Sequence, residues 1–110
     1  MKTMAMAAAA LLAATAACPA QAQADAARAD AAMKKAACQA CHAVDKKGVG
    51  PAFKDIAQKY KGDAKAHDAL VQKVRKGGVG AWGPVPMPPN GPDKIGDDEL
   101  KNVVAWILSV

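Results

Sequence analysis

The chain has 110 residues, with 15 Lys/Arg against 10 Asp/Glu and a net charge of +5; hydrophobic residues make up 52%, yet only four residues are aromatic. Three cysteines are too few for a multi-disulfide framework, and lysines scattered along the chain, not gathered into a dense stripe, argue against nucleic acid. The modest basic surplus suits a face that steers toward acidic partners.

Residues 1–24 read as a secretory leader. Lys2 gives a basic start, "MAMAAAALLAATAA" is a short apolar run, and A-x-A cleavage sites follow at Ala20-Gln21-Ala22 and Ala22-Gln23-Ala24. The run is too short for a comfortable membrane span, so no stable membrane insertion is expected. Export and cleavage would leave one domain, residues 25–110, in the periplasm. Cys18 goes with the leader, and Cys38 and Cys41 remain. So small a domain buries little apolar surface on its own. With four aromatics and much alanine, it calls for a large apolar cofactor at its centre.

Four helices are predicted and no strand. The first, about 25–40, is alanine-rich and runs into the cysteines. The second, about 52–59, starts just after Pro51 and sets Phe53, Ile56, Ala57 and Tyr60 at i, i+3, i+4 and i+7. The third, about 64–76, turns Leu70, Val71 and Val74 inward and ends on the basic, glycine-stopped "KVRKGG". The fourth, about 97–109, begins with Asp97, Asp98 and Glu99 in its first turn. It carries Leu100, Val103, Val104, Ile107 and Leu108 on one face. Between the third and fourth lies "GGVGAWGPVPMPPNGPDKIG", about 20 residues read as irregular but functional, because proline and tryptophan at this density argue against disorder.

The chemistry centres on "CQACH", Cys38 to His42. C-x-x-C-H is the attachment pattern for c-type haem. Two thiols one turn apart can add to the two haem vinyl groups as thioethers, and the next residue, His42, then lies where its imidazole can reach the iron. Other readings compete. A thioredoxin-like redox pair needs a βαβ setting that is missing here. Structural zinc needs four ligands, which Cys38, Cys41, His42 and the distant His67 could only just supply. Two buried cysteines beside a bystander histidine is the remaining possibility.

Haem iron takes a sixth ligand, and the domain has two methionines, Met33 and Met87. Met33, five residues before Cys38, is too near to reach the opposite haem face and is expected to pack against the last helix. Met87 lies 45 residues after His42, ample chain to cross over. It sits in "WGPVPMPPN", where each residue preceding a proline is held extended and the prolines reduce the loop's freedom. Met87 is therefore expected to be aimed at the iron. His67 is the competing ligand, and a five-coordinate iron with an open site is the third option.

"CQACHAVDKKGVGPAFKDIAQKY", "WGPVPMPPN" and "LKNVVAWILSV" together resemble the small bacterial class I cytochromes c, in particular the cytochrome c-551/c-552 group, over essentially the whole of 25–110. The resemblance implies an all-α class I cytochrome c fold, four helices wrapped around one covalently bound haem c. It implies that the Pro51 carbonyl orients His42, that Asn90 hydrogen-bonds near the Met87 sulfur, and that Trp82 donates to a haem propionate. It further implies a soluble one-electron carrier and no enzyme. The partners expected are redox proteins, such as an oxidase, a nitrite reductase, a peroxidase or a bc-type complex, met transiently by a monomer. A haem-based ligand-binding or sensor protein is the alternative. Lys46, Lys47 and Lys76 are the lysines expected near the haem-contacting segments. Gly96 stands where a serine or threonine helix cap is usual, a position that tolerates glycine.

Overall fold

The computed structural model describes residues 23–110; all but the last two residues of the predicted leader lie outside that range. The elements in order are α1 (Ala26–Lys35), a 3-10 turn (Cys38–Ala40), α2 (Phe53–Lys59), α3 (Ala66–Lys76), β1 (Gly78–Gly80), β2 (Gly83–Met87) and α4 (Asp97–Ser109).

α1 starts where the Asp25 carboxylate accepts the Arg28 N–H at 3.0 Å, satisfying one of the donors a helix start leaves orphaned. It stops at Lys35, five residues short of the predicted end. Ala37 takes a left-handed conformation, φ 58°, which no helix can continue through. The chain turns there and re-enters as the 3-10 turn that carries the cysteines.

α4 is the element on which the others rest. It packs against α1, α2 and α3, and its buried stripe is Leu100, Val103, Val104 and Ile107. α1 meets it through Ala29, Ala32 and Met33, two of them small enough to let the helix axes approach closely. Met33 is thus core, as expected. The seam is tied at both ends: Asp25 and Asn102 exchange two hydrogen bonds, of 2.8 and 2.9 Å, and Lys35 pairs with Glu99 at 2.8 Å. Gly96 caps α4 with no side chain of its own, and Glu99 reaches back to accept its N–H at 3.0 Å.

Phe53 and Ile56 of α2 are buried in the same core. Leu70, Val71 and Val74 of α3 are only half-buried against it; Leu70 and Val74 also line a cavity.

Part of the stretch read as irregular is a hairpin. β1 and β2 pair antiparallel, with Gly78 opposite Met87 and Gly80 opposite Gly83, and the register breaks between them. Prolines argue against a strand interior because they cannot donate to the ladder, but a two-stranded ribbon is all edge, where they are tolerated.

Candidate functional site

The cysteine pair and the histidine reach the crevice from one turn, and the methionine from the end of β2. In the 3-10 turn, Cys38 accepts the N–H groups of both Cys41, at 3.2 Å, and His42, at 3.0 Å. This tight turn sets both half-buried thiols, neither in a disulfide, beside the imidazole. Burial pushes the Cys38 thiol up, and the neighbouring Cys41 adds to the rise.

The segment after His42 folds back on the turn, with the Gly50 N–H donating to the Cys41 carbonyl at 2.9 Å. That return places the Pro51 carbonyl 2.7 Å from His42 Nδ1. A carbonyl only accepts, so Nδ1 carries the hydrogen and Nε2 keeps its lone pair. The ring is held from the side as well. It stacks on Phe53 at 5.4 Å between centroids with the planes 20° apart, and Phe53 in turn meets Trp106 edge-on.

Met87, half-buried at the end of β2, forms part of another wall of the crevice. His42 and Met87 both line two adjoining cavities. The outer one is about 350 Å³, rimmed by Val49, Val79 and Val85. The inner one, about 80 Å³, runs between Met33, Leu100 and Val104 into the core. Of the residues picked out from sequence, Cys38, Cys41, His42, Pro51, Trp82 and Met87 all line one cavity or both.

Asn90 does not. It is buried, and its Nδ2 donates to the carbonyls of Pro88, at 3.1 Å, and Val74, at 3.4 Å, not to the Met87 sulfur. A buried amide with two carbonyls in reach is satisfied by them in preference to a weak sulfur acceptor. Trp82 stands at the outer rim, 41% exposed, with the Lys59 ammonium 4.4 Å from its ring centre. Lys59 also donates to the Ala81 carbonyl at 3.0 Å, fastening α2 to the hairpin turn. His67 lines neither cavity; its Nε2 is 3.0 Å from the Lys101 carbonyl, which it serves as donor. Among the described residues no three His, Cys, Asp or Glu gather as a metal site, which removes the zinc reading.

Of the lysines expected near the crevice, Lys47 lines the outer cavity, while Lys73, not singled out from sequence, lines both. Its position was readable: it stands three residues after Leu70 on the face that turns inward. Gly50 and Gly77 were also missed, and each matters for lacking a side chain. A Cβ on Gly50 would lie 2.6 Å from His42 Cε1, and one on Gly77 would strike the Met87 carbonyl oxygen and lie 2.8 Å from the Pro88 carbonyl carbon.

These features suit a flat apolar group held through two thiols. The thiols are reduced and adjacent, one imidazole nitrogen is left with its lone pair, a thioether shares the cavity, and the inner walls are mostly apolar, aliphatic side chains joined by Phe53 and Trp82. Residues 26–110 match the family profile described as Cytochrome c. The chain is 48% identical over 77 residues to cytochrome c-551 of Pseudomonas aeruginosa, covering 70% of this chain and 71% of that one. It is 53% identical over 77 residues to cytochrome c-551 of Allochromatium vinosum, covering 70% and 80%. The crystal structure of Nitrosomonas europaea cytochrome c552 superposes with a TM-score of 0.67 at 44% identity, over 73% of this chain and 96% of that one. Sequence, fold and crevice agree: this chain belongs to the cytochrome c family, within its c-551/c-552 group, and is a small electron carrier whose haem c is bound covalently through Cys38 and Cys41.

Proposed function

We propose that His42 and Met87 are the two axial ligands of the haem iron, and that the protein shuttles single electrons in the periplasm between respiratory complexes or reductases without being an enzyme itself. The haem supplies an iron that gains and loses one electron. The residues of the chain decide how readily it does so. The observation that carries the reading is that His42, with its Nε2 lone pair left over by the Pro51 bond, lines the same apolar cavities as the Met87 thioether.

Pro51 fixes the tautomer and orientation of His42 and raises its basicity. Stacking on Phe53 keeps the ring from rotating. Met87 is a soft donor that favours the reduced metal and raises the potential. Its proline-bounded loop resists movement between oxidation states. The mostly apolar inner walls disfavour water. Trp82, at the outer rim, is assigned an indole N–H bond to a haem carboxylate, and Asn90 holds the Met87 loop against α3. Beside the crevice, Lys47 and Lys73 favour brief docking with acidic faces of redox proteins, such as an oxidase, a nitrite reductase, a peroxidase or a bc-type complex, by a monomer. Export through the leader accounts for the compartment.

The test is an absorption spectrum of the holoprotein, oxidised and reduced, beside Met87→Ala. A weak far-red sulfur-to-iron band in the oxidised wild type, missing from the variant, is the expected result. A wild type without the band whose reduced form takes up carbon monoxide would overturn it in favour of an open, ligand-binding iron.

A further inference from the structure

We propose that Arg75 is the positioning residue for the Met87 loop: its guanidinium clamps the chain between Met87 and α4 and so sets how firmly the thioether stays in place. The proposal rests on Met87 ligation.

Arg75 lies in the last turn of α3 and lines neither cavity, so it acts on the crevice only through what it grips. One of its nitrogens, Nη1, donates to the Asn90 carbonyl at 3.2 Å and to the Ile95 carbonyl at 2.6 Å. The other, Nη2, donates to the Asp97 carboxylate at 2.6 Å. The guanidinium thus spans both ends of the connection from Asn90 to the first residue of α4. Its side chain is only 15% exposed, whereas that of Asp97 is 80% exposed, so the two bonds to the Asn90 and Ile95 carbonyls are the ones better shielded from water. A planar fork reaches three acceptors at fixed angles, which a lysine cannot do.

The neighbouring residues of α3 grip the same stretch. The Val74 carbonyl accepts the Asn90 N–H at 3.0 Å, and Gly77 lets the Met87–Pro89 backbone lie directly against the helix end. Between Asn90 and Met87 stand only Pro88 and Pro89. Each has a fixed φ, and each holds the residue before it extended. A rigid pair of this kind passes movement along instead of absorbing it. Looseness at Asn90 is therefore felt at Met87, three residues back.

The test uses the holoprotein as wild type, Arg75→Lys, Arg75→Met and Asp97→Asn. Each is titrated in the oxidised state with free imidazole, followed by the far-red band, with the reduction potential and the denaturant midpoint measured alongside. Imidazole competes only for iron that Met87 has left, so its apparent affinity scales with that population. Arg75→Met is expected to bind imidazole at least about tenfold more tightly and to show a lower potential. Arg75→Lys, keeping the charge without the fork, should fall between it and the wild type. If Arg75→Met does not fold, Asp97→Asn carries the test, with about a threefold gain expected. Unchanged imidazole affinity and potential, with only the denaturant midpoint lowered, would overturn the clamp and leave Arg75 a purely structural residue. A wild type lacking the far-red band would overturn Met87 ligation, and this proposal with it.

Discussion

No side chain can stand at residue 50 without entering the ring of His42. A Cβ built on Gly50 lies 2.6 Å from Cε1 and 2.9 Å from Nδ1 of the imidazole. The ring has no room to retreat, because Phe53 is stacked against it. Gly50→Ala should therefore cost about 1–3 kcal/mol, the usual cost of overpacking, and lower the yield of haem-loaded protein. Denaturant unfolding and the ratio of haem absorbance to protein check both effects.

Leu100 is fully buried and lines the inner cavity. Leu100→Ala should cost about 2–5 kcal/mol, a large part of the total stability of a domain this small. The midpoint of guanidinium unfolding should fall accordingly, with the slope unchanged if the denatured state is unaffected.

Asn102 holds the start of α1 through two exposed hydrogen bonds to Asp25. Asn102→Ala should cost about 0.5–1.5 kcal/mol. Amide exchange should quicken in the first turn of α1 while the middle of α4 stays protected, which hydrogen-exchange mass spectrometry would resolve.

Two carboxylates make stability depend on acid. The Lys35 ammonium, helped by the Gly96 N–H, holds Glu99 below its usual value. Asp30 is lowered by Lys34 and then Gln39. A carboxyl whose folded pKa is depressed contributes fully above the ordinary carboxylate value of about 4, and loses that contribution as pH falls through the folded value. The denaturation midpoint should thus decline below about pH 4, more weakly in high salt because both groups are exposed. Lys35→Met should make that decline shallower.

α4 was legible to the residue because its apolar spacing is unbroken, its first turn is acidic, and nothing in it resembles a stop. The end of α1 was hidden for the opposite reason. Its turn is made by Ala37, in a conformation glycine or asparagine would have announced, amid alanines that all read as helix. The hairpin was concealed by Pro84 and Pro86, which weigh against a strand everywhere except at an edge. Cys38, Cys41, His42 and Met87 could be singled out because a C-x-x-C-H run and a lone methionine among prolines are patterns visible within a few residues of sequence. Arg75, Gly50 and Gly77 could not, since each matters only through a contact with residues far along the chain. Asn90 was singled out through the resemblance, yet its side-chain partners are the carbonyls of Pro88 and Val74, which no local pattern reveals.

That α4 is the helix against which α1, α2 and α3 all pack has a consequence in time. The apolar residues of α1 and α2, Ala29, Ala32 and Met33 with Phe53 and Ile56, share one cluster with Leu100, Val103, Val104 and Ile107 of α4, so they stay uncovered until α4 docks. Helices far apart in the sequence must therefore meet before the core exists, and that meeting closes a long loop whose entropy the burial has to outweigh.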